Sequence, residues 1–329
     1  MNEIIEHQQS RRLAIYAWLV AAFNLLVIVW GAYVRASASG DGCGNHWPLC
    51  NGEVIPESPL VKTLVEFAHR ATSGAALLLV VGLVFAAFRV RPRADRVRRG
   101  AVAALVFISF EALIGAALVK FRLVVNDDSA ARAVVMSLHL VNTFLLLGSL
   151  ALTAWWSSGG GRTQLRGQGS IGTLFLLALA GVIVIAVSGA VTALGDTLFP
   201  ARTLAEGLRQ DLSPTAHFLM RLRVLHPALA VVAGCFAVMA ASYVGNFVRP
   251  TRAVKRFNSM LGTLFVAQVA LGIANVTMLA PAWLQLAHLL VADLFWIALV
   301  LVAAAALSEE SMLEEQIEGA NLHPVAEHG

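Results

Sequence analysis

The chain has 329 residues, 58% of them hydrophobic and only 13% charged, and its formal net charge is +4. A soluble domain with so few charged side chains could not bury that much apolar surface. The composition therefore predicts a protein that is surrounded by lipid. The small positive charge follows from the membrane topology described below, and it gives no support to nucleic-acid binding.

Eight apolar stretches are long enough to cross a hydrocarbon core of about 30 Å as helices of about 20 residues. We predict transmembrane helices near 14–34, 66–88, 101–120, 134–155, 171–193, 224–244, 257–279 and 285–306. The first stretch is followed by Ala36-Ser37-Ala38, which imitates a signal-peptide cleavage site. Its apolar core is longer than the roughly 7–15 residues of a signal peptide, so we interpret it as a retained helix.

The orientation follows from arginine and lysine, which collect in the connections after the second, fourth and sixth spans and just before the first span. Basic connections stay in the cytoplasm. We therefore predict that both termini are cytoplasmic, with an N-terminal tail at 1–13, a linker at 157–170 and an acidic C-terminal tail at 307–329. The membrane would be the plasma membrane of a bacterium.

The two halves of the chain resemble each other, which indicates an internal duplication. Four landmarks recur in order, at separations of 149 to 158 residues: Gly31 with Gly189, His69 with His226, Gly115 with Gly272, and His139 with His288. Each half has an even number of spans, so both halves enter the membrane in the same direction and their pseudo-twofold axis runs along the membrane normal. The predicted fold class is an all-α integral membrane protein, with two pseudo-twofold-related four-helix bundles at 14–156 and 171–306.

Four of the nine histidines lie one in each even-numbered span, close to its outer end: His69, His139, His226 and His288. The other five lie in tails or loops and are interpreted as surface residues: His7, His46, His217, His323 and His328. A single histidine in a span would be interpreted as a polar residue that joins helices. Four at one depth, paired by the repeat, favour metal ligation instead.

Imidazoles that face each other across a bundle can hold a haem iron from both sides. Zinc would call for cysteine or carboxylate ligands in a compact tetrahedron. We therefore predict one haem between His69 and His139 and another between His226 and His288.

A single carboxylate distinguishes the two predicted sites. Glu66 lies one helical turn before His69, and no carboxylate stands at that spacing before His226 or His288. An ionisable group inside a membrane is a functional candidate, so Glu66 marks the N-terminal half as the place of the chemistry. The alternative is a structural salt bridge between Glu66 and Arg70.

Other charged residues leave more than one interpretation open. Arg70 and Arg223 would suit the anionic propionates of a haem. Glu111, in the third span, and Asp293, five residues after His288, would serve either a proton path or helix packing.

The first outer loop contains Cys43 and Cys50, and the outer side of a bacterial membrane favours disulfides. A disulfide in so short a loop would stabilise it by about 2–3 kcal/mol at most. A structural link and a redox function both stay open. Cys235, in the sixth span, is interpreted as a small buried apolar residue.

The sequence resembles the haem A synthase family, in its bacterial type with a cysteine pair in the first outer loop. The resemblance covers about residues 14–306, and its most specific motifs are "GAYVRASASGDGCGNHWPLCNG", "EFAHR", "LHLVN", "LHPALA" and "LAHLL". Two residues depart from the family pattern: Asn45-His46 replaces the usual Pro-Asp, and Glu111 stands where glutamine is expected.

The resemblance implies an eight-helix membrane oxidoreductase that converts haem O to haem A. Two successive hydroxylations of the C8 methyl group would give a gem-diol, which loses water to leave the formyl group. In this family His226 and His288 would bind a haem b cofactor, His69 and His139 would surround haem O, and Glu66 would be catalytic. Partners would be haem O synthase (protohaem farnesyltransferase) and an electron acceptor, for which a quinone is one candidate.

Two other classes of protein fit parts of the pattern. A membrane cytochrome b that only transfers electrons explains the four histidines, but it leaves Glu66 unexplained. A transporter with a duplicated fold predicts helices broken near the membrane midplane, and the spans are interpreted as continuous.

Overall fold

The computed structural model describes residues 2–57, 59–164 and 166–308, with side chains from residue 8 onward. The acidic tail predicted at 307–329 lies outside this range from residue 309 on, and with it His323 and His328. The side chain of His7 is outside it as well.

Within the described ranges the protein consists of helices and no strand. The α-helices are α1 (Asn2–Ala36), α2 (Val61–Val90), α3 (Arg96–Lys120), α4 (Ala130–Ser157), α5 (Gly169–Leu198), α6 (Leu204–Leu212), α7 (Phe218–Arg223), α8 (Leu225–Tyr243), α9 (Arg252–Thr277) and α10 (Ala282–Ala306). Eight segments are long and apolar enough to span a membrane: α1 from Gln8 on, α2 to α5, Phe218–Val248, α9 and α10. The predicted eight spans are confirmed. The short helix α6 was not predicted.

Polar residues just outside the apolar stretches begin several of the helices. The side chains of Asp95, Ser129 and Thr251 accept hydrogen bonds from backbone N–H groups in the first turns of α3, α4 and α9. The first turn of a helix leaves such N–H groups without helical partners, so these caps fix where each span begins. Apart from α8, which lies within the predicted 224–244, the helices of the spans are longer than predicted because their polar ends stay helical outside the apolar core.

The sixth span is interrupted at its histidine-bearing end, where α7 ends at Arg223 and α8 begins at Leu225. Pro227 lacks an N–H, and its ring clashes with the carbonyl of the residue four positions earlier, which is Arg223. A π-helical turn, Val244–Val248, closes the other end of the span. The expectation of continuous spans is therefore wrong for this one, although the break next to His226 lies near an end of the span and not at its middle.

The spans pack as two rings of four helices. In the N-terminal half α1 contacts α2, α2 contacts α3, α3 contacts α4 and α4 contacts α1; in the C-terminal half α5 contacts α8, α8 contacts α9, α9 contacts α10 and α10 contacts α5. Helix α4 joins the two rings by packing against α5 and α10, and α1 also contacts α10.

The junction between α4 and α10 is built from aromatic side chains and a glycine. The rings of Phe144 and Trp296 are stacked with centroids 5.0 Å apart, and the Trp296 indole N–H donates to the Phe144 carbonyl at 2.6 Å. Gly148, one turn further along α4, lies next to the indole, and a Cβ there would be in ordinary van der Waals contact with its nitrogen at 3.5 Å. This packing holds the histidine-bearing helices α4 and α10 together at the centre of the molecule.

Candidate functional site

Each of the four intramembrane histidines lies against a glycine of a neighbouring helix. A Cβ added at Gly31 would lie 2.8 Å from His69 Cε1, and one added at Gly189 would lie 3.1 Å from His226 Cε1. A Cβ at Gly272 would lie 3.4 Å from His288 Cε1, and one at Gly115 would lie 4.0 Å from His139 Nε2. These are the same glycines and histidines that recur in the sequence. At Gly31 and Gly189 a Cβ would crowd the imidazole, whereas at Gly272 and Gly115 it would make ordinary van der Waals contact.

We expect Gly31→Ala to displace His69 and to lower the haem content of the N-terminal half. The added Cβ would overlap the imidazole, and overpacking of this kind costs about 1–3 kcal/mol. Gly74→Ala is the matched control, because a Cβ at Gly74 meets nothing within 4 Å. Equal haem-to-protein ratios in the two purified variants would contradict this account.

The C-terminal histidine pair has the separation that an iron between two imidazoles requires. The ring centroids of His226 and His288 are 6.5 Å apart, with planes at 84°. Metal–nitrogen bonds of about 2 Å, with each nitrogen about 1 Å from its ring centre, place two such centroids roughly 6 Å apart. The separation of the two rings therefore suits an iron bound between them.

Polar side chains contact both rings of the C-terminal pair. Ser188 Oγ lies 2.9 Å from His226 Nδ1, and Gln268 Nε2 lies 3.2 Å from His288 Nε2. The first contact leaves Nε2 of His226 free for a metal. Neither contact is deducible from the local sequence, because each joins residues of different helices.

The N-terminal pair, His69 and His139, is surrounded by more charge. The two imidazoles are close enough to interact electrostatically, and Glu111 interacts with both. Glu111 Oε1 lies 2.9 Å from His139 Nδ1, although the ring N–H is not aligned with that oxygen. This half therefore places a carboxylate where the C-terminal half has the amide of Gln268.

Glu66 is held in a fixed position at the start of α2. Its side chain is 3% exposed, and Oε2 accepts a hydrogen bond of 2.8 Å from the backbone N–H of Cys43. Oε1 accepts from Arg70 Nε at 3.1 Å and from Nη2 at 2.5 Å. The salt bridge that was the structural alternative is present. A carboxylate has about four acceptor positions, so these three contacts leave capacity for a further donor.

The loop between α1 and α2 folds over Glu66. Cys43 and Cys50 form a disulfide and are buried. Thr63 Oγ1 donates to the Gly42 carbonyl at 2.8 Å, and a Cβ at Gly42 would lie 2.5 Å from the Lys62 carbonyl oxygen. The backbone of the loop therefore lies directly on the first turn of α2, and only glycine permits this approach.

We expect the double variant Cys43→Ser/Cys50→Ser to lose up to about 3 kcal/mol of loop stability, because the closed loop limits the unfolded chain. Faster amide exchange at residues 42–51 would report the opening of the cover over Glu66. Cys235→Ser is the control, since Cys235 is a free thiol. Unchanged exchange together with altered haem chemistry would point to a redox function of the disulfide.

The two arginines proposed for haem propionates have protein partners. Arg70 Nη1 donates to the carbonyls of His46 and Leu49, at 2.5 and 2.6 Å, in addition to its contacts with Glu66. Arg223 contacts Asp211 at 2.5 Å and Asp196 at 3.3 Å. A propionate would join or displace these groups, so the propionate contacts stay predictions.

Arg35 connects the two halves, a function that the sequence did not suggest. From the end of α1 its Nη1 donates to the Ala193 carbonyl at 2.7 Å and to Thr197 Oγ1 at 2.6 Å, both on α5. Its Nη2 donates to Gln285 Oε1 at 3.0 Å on α10. The sequence feature that could have indicated this function is an arginine in the "GAYVRA" motif that has no basic counterpart in the second half of the chain.

Asp293 is fully buried in α10. Neither carboxylate oxygen has a hydrogen-bond partner among residues 2–57, 59–164 and 166–308, and Glu111 is close enough to interact with it electrostatically. The choice between a proton path and packing stays open for this residue.

The fold and the paired histidines define a multi-pass membrane protein with two candidate haem sites. In the part of the chain that the structure describes, His, Cys, Asp and Glu form no cluster of three or more suited to a metal ion, so the histidines occur as pairs. The family model described as "COX15-CtaA: Cytochrome oxidase assembly protein" matches residues 14–300. The chain belongs to this family.

Curated relatives bear two different names. The chain is 49% identical over 308 residues to a protoheme IX farnesyltransferase of Thermus thermophilus, a match that covers 94% of this chain and 50% of that protein. It is 32% identical over 189 residues to a heme A synthase of an Exiguobacterium species, covering 57% of this chain and 60% of that protein. With a heme A synthase of Alkalihalophilus pseudofirmus it shares 37% identity over 111 residues, covering 34% and 37%. The chain spans about half the length of the first of these relatives.

Proposed function

We propose that the protein is a haem A synthase, which oxidises the C8 methyl group of haem O to a formyl group by successive hydroxylations. The observation that carries this proposal is the difference between two otherwise corresponding histidine pairs. In the N-terminal half Glu111 lies 2.9 Å from His139, and the buried Glu66 stands one helical turn before His69. The C-terminal pair is contacted by the neutral side chains of Ser188 and Gln268. Membership of the COX15-CtaA family and the heme A synthase relatives support the same reaction.

In this proposal the C-terminal half, 171–306, binds haem b as the cofactor. His226 and His288 would hold its iron, and the 6.5 Å between their ring centroids supports this assignment. A bound haem b would supply one-electron transfer. Ser188 contacts Nδ1 of the His226 ring at 2.9 Å, which would leave Nε2 as the nitrogen that binds a metal.

The N-terminal half, 14–156, would bind haem O between His69 and His139. Glu66 lies one turn before His69 and is shielded by the disulfide-linked loop. A fixed carboxylate there would stabilise positive charge that develops at the methyl carbon, or would take a proton from an attacking water. Arg70 would hold this carboxylate in place and contact a propionate of haem O. In the C-terminal half, Arg223 would contact a propionate of haem b.

The proposed partners follow from the substrate and the product. Haem O is made by protohaem farnesyltransferase, and a relative with that name contains a region 49% identical to this chain within a protein of about twice the matched length. We infer that haem O passes to this chain from such an enzyme. Oxidation of the methyl group would also require an electron acceptor, for which a quinone is one candidate. The proposed location is the bacterial plasma membrane, with both termini in the cytoplasm.

Extraction of haems from cells tests the proposal. The chain is produced in a bacterium that makes haem O but no haem A, and the extracted haems are separated by chromatography. We expect a new peak of haem A. A purified protein that contains haem b, from cells that yield only haem O and haem b, would favour the alternative of a cytochrome b that only transfers electrons.

A further inference from the structure

Glu111 of α3 is fixed against a single turn of α4. Its Oε1 lies 2.9 Å from His139 Nδ1 and accepts a hydrogen bond of 2.5 Å from Thr143 Oγ1. Its Oε2 accepts from Asn142 Nδ2, which also donates to the Phe107 carbonyl of α3 at 2.8 Å. The carboxylate is thus held at both oxygens by α4, and one of them lies beside the imidazole.

The corresponding position of the other half differs in charge and in the nitrogen that it contacts. There Gln268 places its amide nitrogen 3.2 Å from Nε2 of His288. Nδ1 of His288, like Nδ1 of His139, has no aligned hydrogen bond among the described residues, but only His139 has a carboxylate oxygen 2.9 Å from it. The repeat therefore pairs His139 with a carboxylate on Nδ1, and His288 with a neutral amide on Nε2.

A carboxylate that accepts the N–H of one ring nitrogen orients the histidine for metal binding through the other nitrogen, and it makes the imidazole a stronger donor. Glu111 Oε1 lies within reach of Nδ1 of His139, and a rotation of the ring would align the N–H with it. An amide cannot donate electron density in this way. The two halves would therefore bind haem iron with different strength, although both would use two histidines.

We propose that Glu111 is a positioning residue for His139: it holds Nδ1 toward α3 and Nε2 toward the iron of the haem in the N-terminal half, and makes His139 a stronger ligand than His288. The inference rests on the proposed function only in assigning a haem to the His69–His139 pair. A stronger donor stabilises the ferric form. The haem of this half therefore has a lower midpoint potential than it would have with a glutamine in place of Glu111.

The test uses the purified full chain loaded with haem b, with a redox titration followed by visible absorption and with electron paramagnetic resonance of the ferric haems. His139→Ala and His288→Ala assign the two signals by their loss. In Glu111→Gln we expect the midpoint potential of the N-terminal haem to rise and its resonance to shift, while the C-terminal haem keeps both values. Glu111→Asp, which withdraws the carboxylate from Nδ1, should shift them in the same direction by less.

Asn142→Ala tests whether Glu111 positions His139 or only helps α3 and α4 to pack. The variant removes the hydrogen bonds that Asn142 donates to the Phe107 carbonyl and to Glu111 Oε2, but it leaves Glu111 Oε1 beside His139. We expect this variant to melt at a lower temperature with an unchanged midpoint potential. Loss of the N-terminal haem alone in Glu111→Gln would also support positioning. Unchanged potentials and resonances in both Glu111 variants would overturn the proposal, as would loss of both haems in all three variants.

No haem A has to form in these measurements, so a failure of the proposed synthase activity would leave their outcome intact. A chain that never loads a haem dependent on His139 would instead contradict the proposed function.

Discussion

Glu66→Gln is expected to keep its haems and to form haem A at least about 100-fold more slowly than the unaltered chain. The amide has the shape of the carboxylate but only one acceptor oxygen, so it can keep the hydrogen bonds from Arg70 but not also the one from the Cys43 N–H. The disulfide and the contact between Thr63 and the Gly42 carbonyl should still hold the loop on α2. The amide lacks the negative charge that would stabilise a developing cation, and it is too weak a base to take a proton from water. The measurement is the rate of haem A formation per N-terminal haem.

Glu57→Gln is the matched control, because Glu57 is an exposed carboxylate in the same outer loop. It should form haem A at the rate of the unaltered chain. If Glu66→Gln retained that rate with a full complement of haem, the ion pair with Arg70 would be the whole function of Glu66. The catalytic assignment would then be wrong.

His288→Ala is expected to lose the cofactor haem and to reduce haem A formation to background, while the N-terminal half still binds its haem. An iron held by His226 alone lacks its second axial protein ligand, and an alanine leaves the Gln268 side of the pocket empty. The measurement is the haem-to-protein ratio of the purified variant, which should fall to about half, together with the loss of haem A.

His46→Ala provides the comparison, since His46 is exposed and contributes only its backbone carbonyl to Arg70. Its haem content and activity should be unchanged. Full haem content in His288→Ala would show that this histidine is not an iron ligand, and the assignment of the C-terminal site would fail with it.

The features that depend on short stretches of sequence could be predicted. Length and hydropathy located all eight spans, and a disulfide between Cys43 and Cys50 followed from two cysteines in one short outer loop. The break before α8 was also accessible from Pro227, although we had interpreted that span as continuous. The hydropathy of a span and the effect of a proline on its helix depend on residues that are close in sequence, so both can be predicted from the sequence.

Contacts between helices could not be predicted in the same way. The repeat marked Gly31 as the counterpart of Gly189, but the sequence does not show that each lies against a histidine of the following span. Arg35 reaches Ala193 and Thr197 in the other half of the chain, a contact that depends on how the two bundles pack. Glu111 was left open between proton transfer and packing for the same reason, because its partners all lie on α4.

The most direct test of the whole account follows the fate of haem O on the purified chain. The protein is loaded with haem b, supplied with haem O and a quinone acceptor, and its haems are extracted at intervals and identified by mass. The account predicts that haem O is consumed and haem A appears, while haem b stays constant and the conversion is lost in Glu66→Gln. Recovery of unchanged haem O, from a protein whose haem b is nevertheless reduced and reoxidised, would contradict it.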